Sequence, residues 1–572
     1  MAENKMMHSS NIASHLPTIA KLQPDTLAVA VQKSGKQYTY RQLDKASDLI
    51  AKGLQATGIG KSIRTVLMVT PGLDFFALVF AIFKVGAVMV AVDPGMGIKN
   101  LGKCLTEAEP EVFIGSRKAH LARRLFGWAR KTIKTNIIVD PGFMPKIIYG
   151  RQCKSLADIK HQGANNNDPV SQNISNHTQA NDMAAILFTS GSTGVPKGVI
   201  YTHANFTAQV LALKNLYGIQ PGEVDLSTFP LFALFAPAMG MTSIVPDMDF
   251  TRPGSVNPER IFSAIEHYQI TTMFGSPALL NRMGRYGEQH HKKLSGLKRV
   301  LSAGAPVPAK VIKRIADMLN GHAQVFTPYG ATESLPVSSI GSDEILVSTC
   351  HETERGKGIC VGLPVDNIDL KIIRIADIPI KNWNDDLILD HNVIGEITVK
   401  GPHVTRAYYN RESSTELAKI IDPAGGFYHR MGDTGYLDEQ GRLWFCGRLT
   451  HRVVTKNETL FTIPCEGIFN THPKVFRTAL VGIKKHKGTI PVICVELEEK
   501  FKNDNNDDKE IITAELLKIG AQLEQTKSIQ HVLFHSSFPV DIRHNAKIGR
   551  GKLSAWAQKK IIGKQIAEKR IT

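Results

Sequence analysis

The chain has 572 residues, of which 42% are hydrophobic, and carries a formal net charge of +17 at pH 7. This length exceeds what one hydrophobic core supports, so we expect several packed units. The seven cysteines show no paired C-x-x-C spacing, which argues against a zinc cluster or dithiol centre and favours reduced thiols. The chain begins with polar residues rather than an apolar signal core, so we expect a cytoplasmic protein.

Residues 25–140 alternate helical and β-rich patterns with glycine and proline between them, which is typical of layered α/β structure. Residues 75–92 are almost entirely apolar and resemble a membrane span in composition. Lys84 and Gly86 interrupt this stretch and Asp93 ends it, so the pattern favours a buried helix followed by a strand.

Positive charge is concentrated in two stretches and indicates an anionic partner or surface. Residues 117–134 hold seven Lys/Arg and no acid, and residues 541–572 hold nine against two acids. In the first stretch apolar residues recur at helical spacing, at Leu121, Leu125, Trp128 and Ala129. This predicts a basic amphipathic helix that either makes a peripheral contact with an anionic membrane or protein, or simply packs one face and solvates the other. No nucleic-acid module accompanies the charge, so we expect no nucleic-acid partner.

The run Phe188-Thr-Ser-Gly-Ser-Thr-Gly-Val-Pro-Lys-Gly198 follows an apolar stretch and combines glycines, hydroxyls and one lysine. Glycine lets backbone N–H groups approach anionic oxygens, while hydroxyls and a lysine add donors and charge. The run departs from a Walker loop because Pro196 precedes the lysine and Gly198 follows it. We predict a polyphosphate-binding loop rather than a flexible linker. Its predicted contacts are Thr189, Ser190, Gly191, Ser192, Thr193, Gly194 and Lys197.

Further segments strengthen this interpretation. They are Ser302–Val307, Tyr329–Glu333, Met431–Tyr436, Trp444–Arg448 and Asn545–Arg550. In this order they resemble the adenylate-forming superfamily of acyl-CoA synthetases, firefly luciferase and peptide-synthetase adenylation domains, over roughly residues 30 to 555. The resemblance implies an AMP-forming ligase that uses ATP and Mg²⁺ to convert a carboxylic acid into an acyl adenylate and pyrophosphate.

The same resemblance implies the fold class. It is α/β, with a large N-terminal domain of layered α/β subdomains plus a β-rich subdomain, and a small α+β C-terminal cap domain. The expected limits are 1–447 for the large domain, with subdomains at about 1–182, 183–360 and 361–447, and 448–572 for the cap domain. Residues 161–182 have few apolar side chains and predict a solvated loop between the first two subdomains. The active site is expected in the cleft under the cap.

By resemblance, the nucleotide contacts several of these segments. Adenine is expected to stack on Tyr329, and the other residues around it are Gly304, Ala305, Pro306, Gly330 and Ala331. Asp433 is expected to accept hydrogen bonds from both ribose hydroxyls, which suits an acceptor-only carboxylate, and Arg448 to support the ribose or phosphate. His203 matches a superfamily position and serves equally well as a structural residue.

The resemblance assigns catalysis to three residues. Glu333 is expected to ligate Mg²⁺ through a carboxylate oxygen, while Thr332 adds a hydroxyl contact. Lys547 is expected to bridge the substrate carboxylate and the α-phosphate, which stabilises charge in the transition state. The alternative for Lys547 is a surface lysine in a basic tail. Two more residues separate it from Pro539 than the superfamily spacing allows, which indicates a longer loop.

The segment after Arg448 departs from the acyl-CoA ligase pattern. Thr450 stands at the hinge where those ligases carry Asp or Lys, and no glycine occurs from residue 449 to 466. A glycine-free segment leaves less room for a pantetheine tunnel. It therefore puts thioester formation in doubt while leaving adenylation intact.

The departing segments resemble one branch of the superfamily, the β-lactone synthetases of bacterial long-chain olefin biosynthesis. They are residues 228–241, 246–253, 461–466 and 538–547. The branch adenylates a 2-alkyl-3-hydroxy fatty acid, and the substrate's own hydroxyl then displaces AMP, because a tethered nucleophile needs no external thiol. Phe232, Phe235 and Met239 are expected to line the alkyl pockets, although an apolar run is as often ordinary core.

Two other functions stay open at this stage. One is a conventional long-chain fatty acyl-CoA ligase or acyl-AMP ligase, which shares every nucleotide residue. The other is a catalytically inactive adenylate-binding scaffold that assembles partner enzymes of an olefin pathway on its basic surface. The simultaneous presence of Lys197, Glu333, Asp433, Arg448 and Lys547 argues against the scaffold.

Overall fold

The computed structural model describes residues 11–140, 142, 153–165, 178–189, 195–229, 235–485, 488–502, 506–541 and 547–571. The strands of the large domain's first half, numbered in chain order, are β1 (Leu27–Val31), β2 (Gln37–Thr39), β3 (Arg64–Met68), β4 (Val88–Ala91), β5 (Val112–Ser116), β6 (Thr135–Val139), β7 (Cys153–Ser155), β8 (Met183–Phe188), β9 (Gly198–Thr202), β10 (Val224–Leu226), β11 (Thr242–Val245), β12 (Thr272–Phe274), β13 (Arg299–Leu301) and β14 (Gln324–Phe326).

The later strands are β15 (Tyr329–Ala331), β16 (Ser334–Ser339), β17 (Ile359–Pro364), β18 (Asp369–Ile373), β19 (Gly395–Lys400), β20 (Lys419–Ile421), β21 (Phe427–Leu437), β22 (Leu443–Arg448), β23 (Val453–Val454), β24 (Thr459–Leu460), β25 (Val475–Lys485), β26 (Gly488–Leu497) and β27 (Val532–Phe534). Helices of eight or more residues are α1 (His15–Leu22), α2 (Tyr40–Ala56), α3 (Leu73–Lys84), α4 (Ile98–Ala108), α5 (Arg117–Phe126), α6 (Leu156–Asn165), α7 (His203–Tyr217), α8 (Pro258–Tyr268), α9 (Pro277–Gln289), α10 (Ala309–Ala316), α11 (Thr462–Phe469), α12 (Asn506–Gly520) and α13 (Arg550–Ile571).

Two largely parallel sheets form most of the large domain. The first has the order β7-β6-β5-β3-β4-β8-β9, and the second has the order β14-β13-β12-β10-β11-β1-β2. Only the edge pairs β8–β9 and β1–β2 are antiparallel within these two sheets. Parallel strands place their carboxyl ends at one edge of a sheet, where α/β proteins build their sites.

The stretch that forms the first sheet, residues 64–202, is inserted in the chain between β2 and β10 of the second sheet. β1 pairs in parallel with β11 of the second sheet, and β8 pairs with β4 of the first. The sheets therefore do not divide at the predicted subdomain limit, residue 182. Strands β8 and β9 follow this residue but belong to the first sheet, and β1 and β2 precede it but belong to the second. The domain limits themselves stay a prediction from the sequence.

Helix α3 lies buried in the core of the large domain. Every residue from Phe75 to Lys84 is buried, and β4 follows, which confirms the predicted buried helix and strand. The Lys84 ammonium lies 2.7 Å from a carboxylate oxygen of Asp44 and 2.5 Å from one of Asp48 on α2. A buried charge needs such partners. No described helix has the length and apolarity to cross a bilayer.

The third sheet has the order β15-β16-β17-β22-β21-β19-β18, with β20 beside β21, and its strand pairs are antiparallel. The cap follows β22 and contains the sheet β25-β26-β27 together with α11, α12 and α13. The expected fold class is thereby confirmed, with a large α/β domain, a β-rich part and a small α+β domain.

Two local predictions were wrong. Helix α5 ends at Phe126, and Gly127 follows in a left-handed conformation, with φ 66°. Trp128 and Ala129 are therefore turned into the core while Leu121 and Leu125 stay exposed, so these four residues do not share one face. The predicted loop 161–182 also begins too early, because α6 continues to Asn165.

Candidate active site

A cavity of about 730 Å³ opens at the carboxyl ends of the parallel strands, beneath the cap. Its wall includes Ala91 at the end of β4, Phe274 at the end of β12 and Thr189 just after β8. The third sheet contributes Glu333 and the cap contributes Lys547. The topology of three sheets and the cap therefore brings together residues that are far apart in sequence.

The base of the predicted phosphate loop lies on this wall. The Thr189 N–H donates to the Lys197 carbonyl oxygen at 3.0 Å, and the Lys197 N–H donates to Thr189 Oγ1 at 3.2 Å. Gly198 packs so tightly in the β8–β9 hairpin that a Cβ there would lie 2.8 Å from Ile186. The hairpin thus fixes both ends of the loop. The predicted contacts Ser190, Gly191, Ser192, Thr193 and Gly194 lie outside the described residues.

Lys197 and Glu333 flank the ring of Tyr408. The Lys197 ammonium lies 4.7 Å from the ring centroid, and the Tyr408 hydroxyl donates to Glu333 Oε1 at 2.6 Å. Burial lowers the pKa of Lys197, while the charge of Glu333 raises it. Burial and the neighbouring Glu333 raise the pKa of the Tyr408 phenol, which therefore stays a donor. The sequence analysis missed Tyr408, because no pattern around it indicates its contact with Glu333.

Glu333 is suited to hold a magnesium ion on bound phosphates. No cluster of three His, Cys, Asp or Glu with metal-binding geometry occurs in the described part of the chain. Mg²⁺ does not need one, since it is commonly held by one or two carboxylates together with substrate phosphate oxygens. Thr332 lines the cavity beside Glu333, and its carbonyl oxygen accepts a 2.5 Å hydrogen bond from Tyr201.

Asp433 and Arg448 face each other on the paired strands β21 and β22. Arg448 Nε lies 3.1 Å from Asp433 Oδ1, and the Tyr329 hydroxyl donates to Asp433 Oδ2 at 2.7 Å. Burial raises the pKa of Asp433, and the charge of Arg448 opposes this shift. Among the described residues, the buried Oδ1 is contacted by Arg448 as an ion pair but accepts no hydrogen bond of good geometry, so a donor from a ligand would add one.

Lys547 reaches the cavity despite the longer loop predicted before it. Asp541 Oδ1 accepts the Lys547 N–H at 3.0 Å, and the Asp541 N–H donates to the Lys547 carbonyl oxygen at 3.1 Å. Next to these two hydrogen bonds, Val540 and Ile548 form an isolated antiparallel β-bridge. The chain on either side of residues 542–546 is therefore held together.

A buried ion pair anchors the same segment to the cap. Arg550 Nη1 and Nη2 lie 2.5 Å and 2.9 Å from the two carboxylate oxygens of Glu466 on α11. Glu466 also accepts the Leu480 N–H at 2.8 Å. Bidentate pairs of this kind fix orientation as well as distance. The sequence indicated Arg550 only as part of a motif and gave no sign of its partner.

Thr450, the predicted hinge residue, lies on the cavity wall. Just after it, Arg452 holds the chain to the large domain. Arg452 Nη2 lies 2.7 Å from an Asp377 carboxylate oxygen, and Arg452 Nη1 donates to the Leu449 carbonyl oxygen at 2.7 Å. The glycine-free segment that follows forms the short hairpin β23–β24 and then α11. Arg452 is thus a hinge residue that the sequence analysis did not single out.

Aromatic and aliphatic side chains also line the cavity. They include Phe206, Phe229, Phe235, Phe250, Phe274 and Leu213. The ring centroids of Phe206 and Phe235 are 5.3 Å apart, and those of Phe229 and Phe274 are 5.9 Å apart. Most of these residues come from separate segments, so no run in the sequence marked them as one surface.

The predicted site residues divide into three groups. Those on the cavity wall are Thr189, Lys197, Phe235, Gly304, Gly330, Ala331, Thr332, Glu333, Arg448, Thr450 and Lys547. Ala305, Pro306, Tyr329, Met239 and Asp433 are described but do not line it, and Met239 packs instead against the core. Phe232 lies outside the described residues. The structure does not test the predicted roles of any of them.

His203 lies off the cavity at the start of α7. It is fully buried with its ring 6.0 Å from that of Phe83, and neither ring nitrogen has a hydrogen-bond partner. Burial lowers its pKa to about 4, so the imidazole is neutral near pH 7. This position favours the structural interpretation of the residue.

Fold and site together define an adenylate-forming enzyme. The family of AMP-binding enzymes matches residues 16–409, and the chain belongs to this family, which uses ATP. The chain is 45% identical to the olefin beta-lactone synthetase of Xanthomonas campestris pv. campestris, across 97% of this chain and 99% of that protein.

Solved structures show the same fold. The amide bond synthetase McbA from Marinactinospora thermotolerans has a TM-score of 0.75 at 19% identity, covering 95% of this chain and 99% of its own. The o-succinylbenzoate coenzyme A synthetase of Bacillus subtilis, in complex with ATP and magnesium ion, has a TM-score of 0.70 at 20% identity, covering 94% and 98%. At these identities the likeness concerns the fold alone.

Proposed function

We propose that this protein adenylates a long-chain 2-alkyl-3-hydroxy fatty acid with ATP and Mg²⁺ and then closes the product to a β-lactone. The observation that carries the proposal is one cavity whose wall includes both the charged residues Lys197, Glu333, Arg448 and Lys547 and several phenylalanines. The full-length relative named olefin beta-lactone synthetase supports the choice of substrate and product.

In the first step a carboxylate oxygen of the substrate attacks the α-phosphorus of ATP, and the bond to pyrophosphate breaks. Both reactants are anions, so the site must offset their repulsion. Lys197 at the loop base and Lys547 from the cap supply positive charge in a partly desolvated cavity, where such charges act most strongly. Mg²⁺ held by Glu333 would neutralise the phosphates further.

Recognition of the nucleoside is assigned to Asp433, which pairs with Arg448, and to the residues near it. Asp433 Oδ1, which lacks a good donor, suits a ribose hydroxyl. Tyr329 holds the other oxygen of Asp433 through its hydroxyl, so its ring orients this carboxylate as well as facing the adenine region. Gly304, Gly330 and Ala331 offer a smooth wall for a flat base.

In the second step the β-hydroxyl oxygen attacks the acyl carbon. The bond from that carbon to the AMP oxygen breaks, AMP leaves, and the hydroxyl proton is released. The nucleophile belongs to the substrate itself, so the step is intramolecular and needs no second substrate, and the energy for closing the strained ring comes from cleavage of the acyl adenylate. The glycine-free hinge and the contacts of Arg452 support this route, because they favour one orientation of the cap over a rotated, thiol-accepting one.

The deciding experiment is mass spectrometry of the products formed from a racemic 2-alkyl-3-hydroxy acid, ATP and Mg²⁺, with and without CoA. We expect AMP and lactone in equal amounts, no effect of CoA, and arrest after adenylation with the 3-deoxy analogue. Acyl-CoA formed from a plain fatty acid at a matching rate would establish the ordinary ligase. Absence of pyrophosphate release with every acid would establish the inactive scaffold.

We further propose a cytoplasmic enzyme that exchanges its apolar substrate and product with other enzymes of an olefin pathway. The apolar wall of the cavity supports this, since such molecules have little solubility of their own. Co-purification of neighbouring pathway enzymes from native extracts would test it.

A further inference from the structure

Helix α5 presents an apolar strip bordered by cations to solvent. Leu121 and Leu125, one turn apart, are 60% and 74% exposed. Arg117, Lys118 and Arg124 are exposed on the same side of the helix. With 100° per residue, these five positions span one face, and the two leucines lie in its middle.

The face is exposed although the rest of the helix is well packed. Ala119 and His120 are buried on the opposite side, and the His120 ring lies 4.9 Å from that of Phe113. Phe126 at the helix end is 46% exposed and stacks on the buried Trp128, with ring centroids 5.8 Å apart. Packing of the described residues therefore does not use the strip of Leu121 and Leu125, whereas Phe126 lies about 100° around the helix from Leu125 and packs on Trp128.

Charge around the strip is strongly positive. Residues 95–134 contain nine Lys/Arg and three acids. Glu107 binds Arg411 at 2.7 Å, while Glu111 lies 3.2 Å from Arg64 and 3.8 Å from Lys134. Arg117 lies 3.9 Å from Asp140, in a pair that is half exposed or more on both sides. The net charge of the stretch stays strongly positive and favours a negatively charged surface.

The helix that carries the strip and the helix that begins at the cavity pack on one side chain. Gly95 and Met96 line the cavity, and Ile98, which is 54% exposed, begins α4 just after them. Helix α4 packs on the buried Trp128 ring, because a Cβ on Gly102 would lie 2.9 Å from Trp128 Cδ1, and Phe126 of α5 stacks on the same ring. The strip therefore lies on a helix next to the one that leads to the cavity wall.

We propose that α5 and the start of α4 dock on the surface of an anionic lipid bilayer. The two leucines enter the interface while the long Lys and Arg side chains extend to lipid phosphates, the arrangement of a peripheral amphipathic helix. This inference rests on the proposed function in one respect: docking would let the enzyme take its long-chain acid from the membrane. Binding itself does not depend on catalysis.

The test is co-sedimentation of the full chain with phosphatidylcholine vesicles, with and without phosphatidylglycerol. We expect binding only to the anionic vesicles, weakened at least about tenfold in Leu121→Glu/Leu125→Glu. The matched control is Leu22→Glu/Val347→Glu, which changes exposed apolar residues elsewhere and should bind like the wild type. Lactone formation from a short, water-soluble hydroxy acid should be equal in all three proteins.

Equal vesicle binding by the Leu121/Leu125 variant would overturn the proposal, as would retention on heparin without binding to anionic vesicles, which would indicate a soluble polyanion as partner. Loss of lactone formation from the short acid in the wild type would instead concern the proposed function, and the vesicle result would stand apart from it.

Discussion

Asp541 binds Lys547 through both backbone polar groups of the lysine, with its carboxylate accepting the N–H and its own N–H donating to the carbonyl oxygen. The side chain of Lys547 is then projected toward the cavity from a fixed backbone. A longer connection does not therefore make the lysine mobile, because the two residues that flank the additional chain are tied to each other.

Lys547→Ala should lower pyrophosphate release at saturating ATP at least about a hundredfold, the usual loss for one preorganised charge aimed at the transition state. ATP binding, measured by calorimetry, should change little, because the lysine acts mainly as charge develops at the α-phosphate. Near-normal pyrophosphate release would remove Lys547 from the mechanism.

Asp541→Ala should lower kcat about tenfold and leave KM for ATP nearly unchanged, because it loosens the lysine without touching the nucleotide. Asp541→Asn keeps an acceptor oxygen and should retain most of the activity. Steady-state kinetics of both variants provide the check. If the asparagine variant is as slow as the alanine variant, the carboxylate has some other role than positioning.

Asp433→Ala and Glu333→Gln should fail differently. Loss of the carboxylate assigned to ribose should raise the Kd for ATP, whereas loss of the carboxylate assigned to Mg²⁺ should lower turnover and raise the Mg²⁺ concentration needed. Titrations of rate against ATP and against Mg²⁺ separate the two effects. Identical profiles would show that these roles are assigned wrongly.

Asp377→Ala should reduce adenylation less than about fivefold, since Asp377 is mostly exposed and such ion pairs contribute little. Arg452→Ala should cost more, because it also removes the hydrogen bond to the Leu449 carbonyl at the hinge. Rates of pyrophosphate release in the two variants make the comparison. Equal losses would mean that the ion pair alone sets the hinge.

Lys419 should make stability depend on pH. Burial lowers its pKa to about 7 from a usual value of 10.5, with the charge of Glu333 opposing the shift. Between these values the unfolded chain holds a proton that the folded protein lacks, so stability rises as pH rises through this window and falls as pH is lowered toward 7. In Lys419→Met the change in Tm between pH 7 and about pH 9 should be smaller, as measured by calorimetry.

The sequence predicted the chemistry of the site better than its supporting contacts. Lys197, Glu333 and Lys547 stand in recognisable runs, because phosphate and metal binding require particular residue types at close spacing. Tyr408 and Arg452 could not be found in this way, since each contacts a residue distant in sequence, Glu333 and Asp377 respectively. Asp541 is near Lys547 in sequence, but its contacts are with the lysine backbone, which no residue type at Lys547 indicates. The helix at 117–134 was predicted too long for a similar reason: periodicity shows apolar spacing but not the left-handed turn at Gly127.

The pairing of β1 with β11 has a consequence for how this protein can be synthesised and divided. Val29 lies opposite Ser243, so a segment made early in translation must wait for more than two hundred residues before its parallel neighbour exists. Equally, the first sheet lacks its last strand until Thr202 has been made. The first sheet is complete within residues 64–202, whereas the second sheet needs β1 and β2 from before that stretch and β10 to β14 from after it. A fragment that ends before β10 would leave β1 without its parallel neighbour, so we expect the second sheet, and with it the large domain, to be completed only after the later strands have been made.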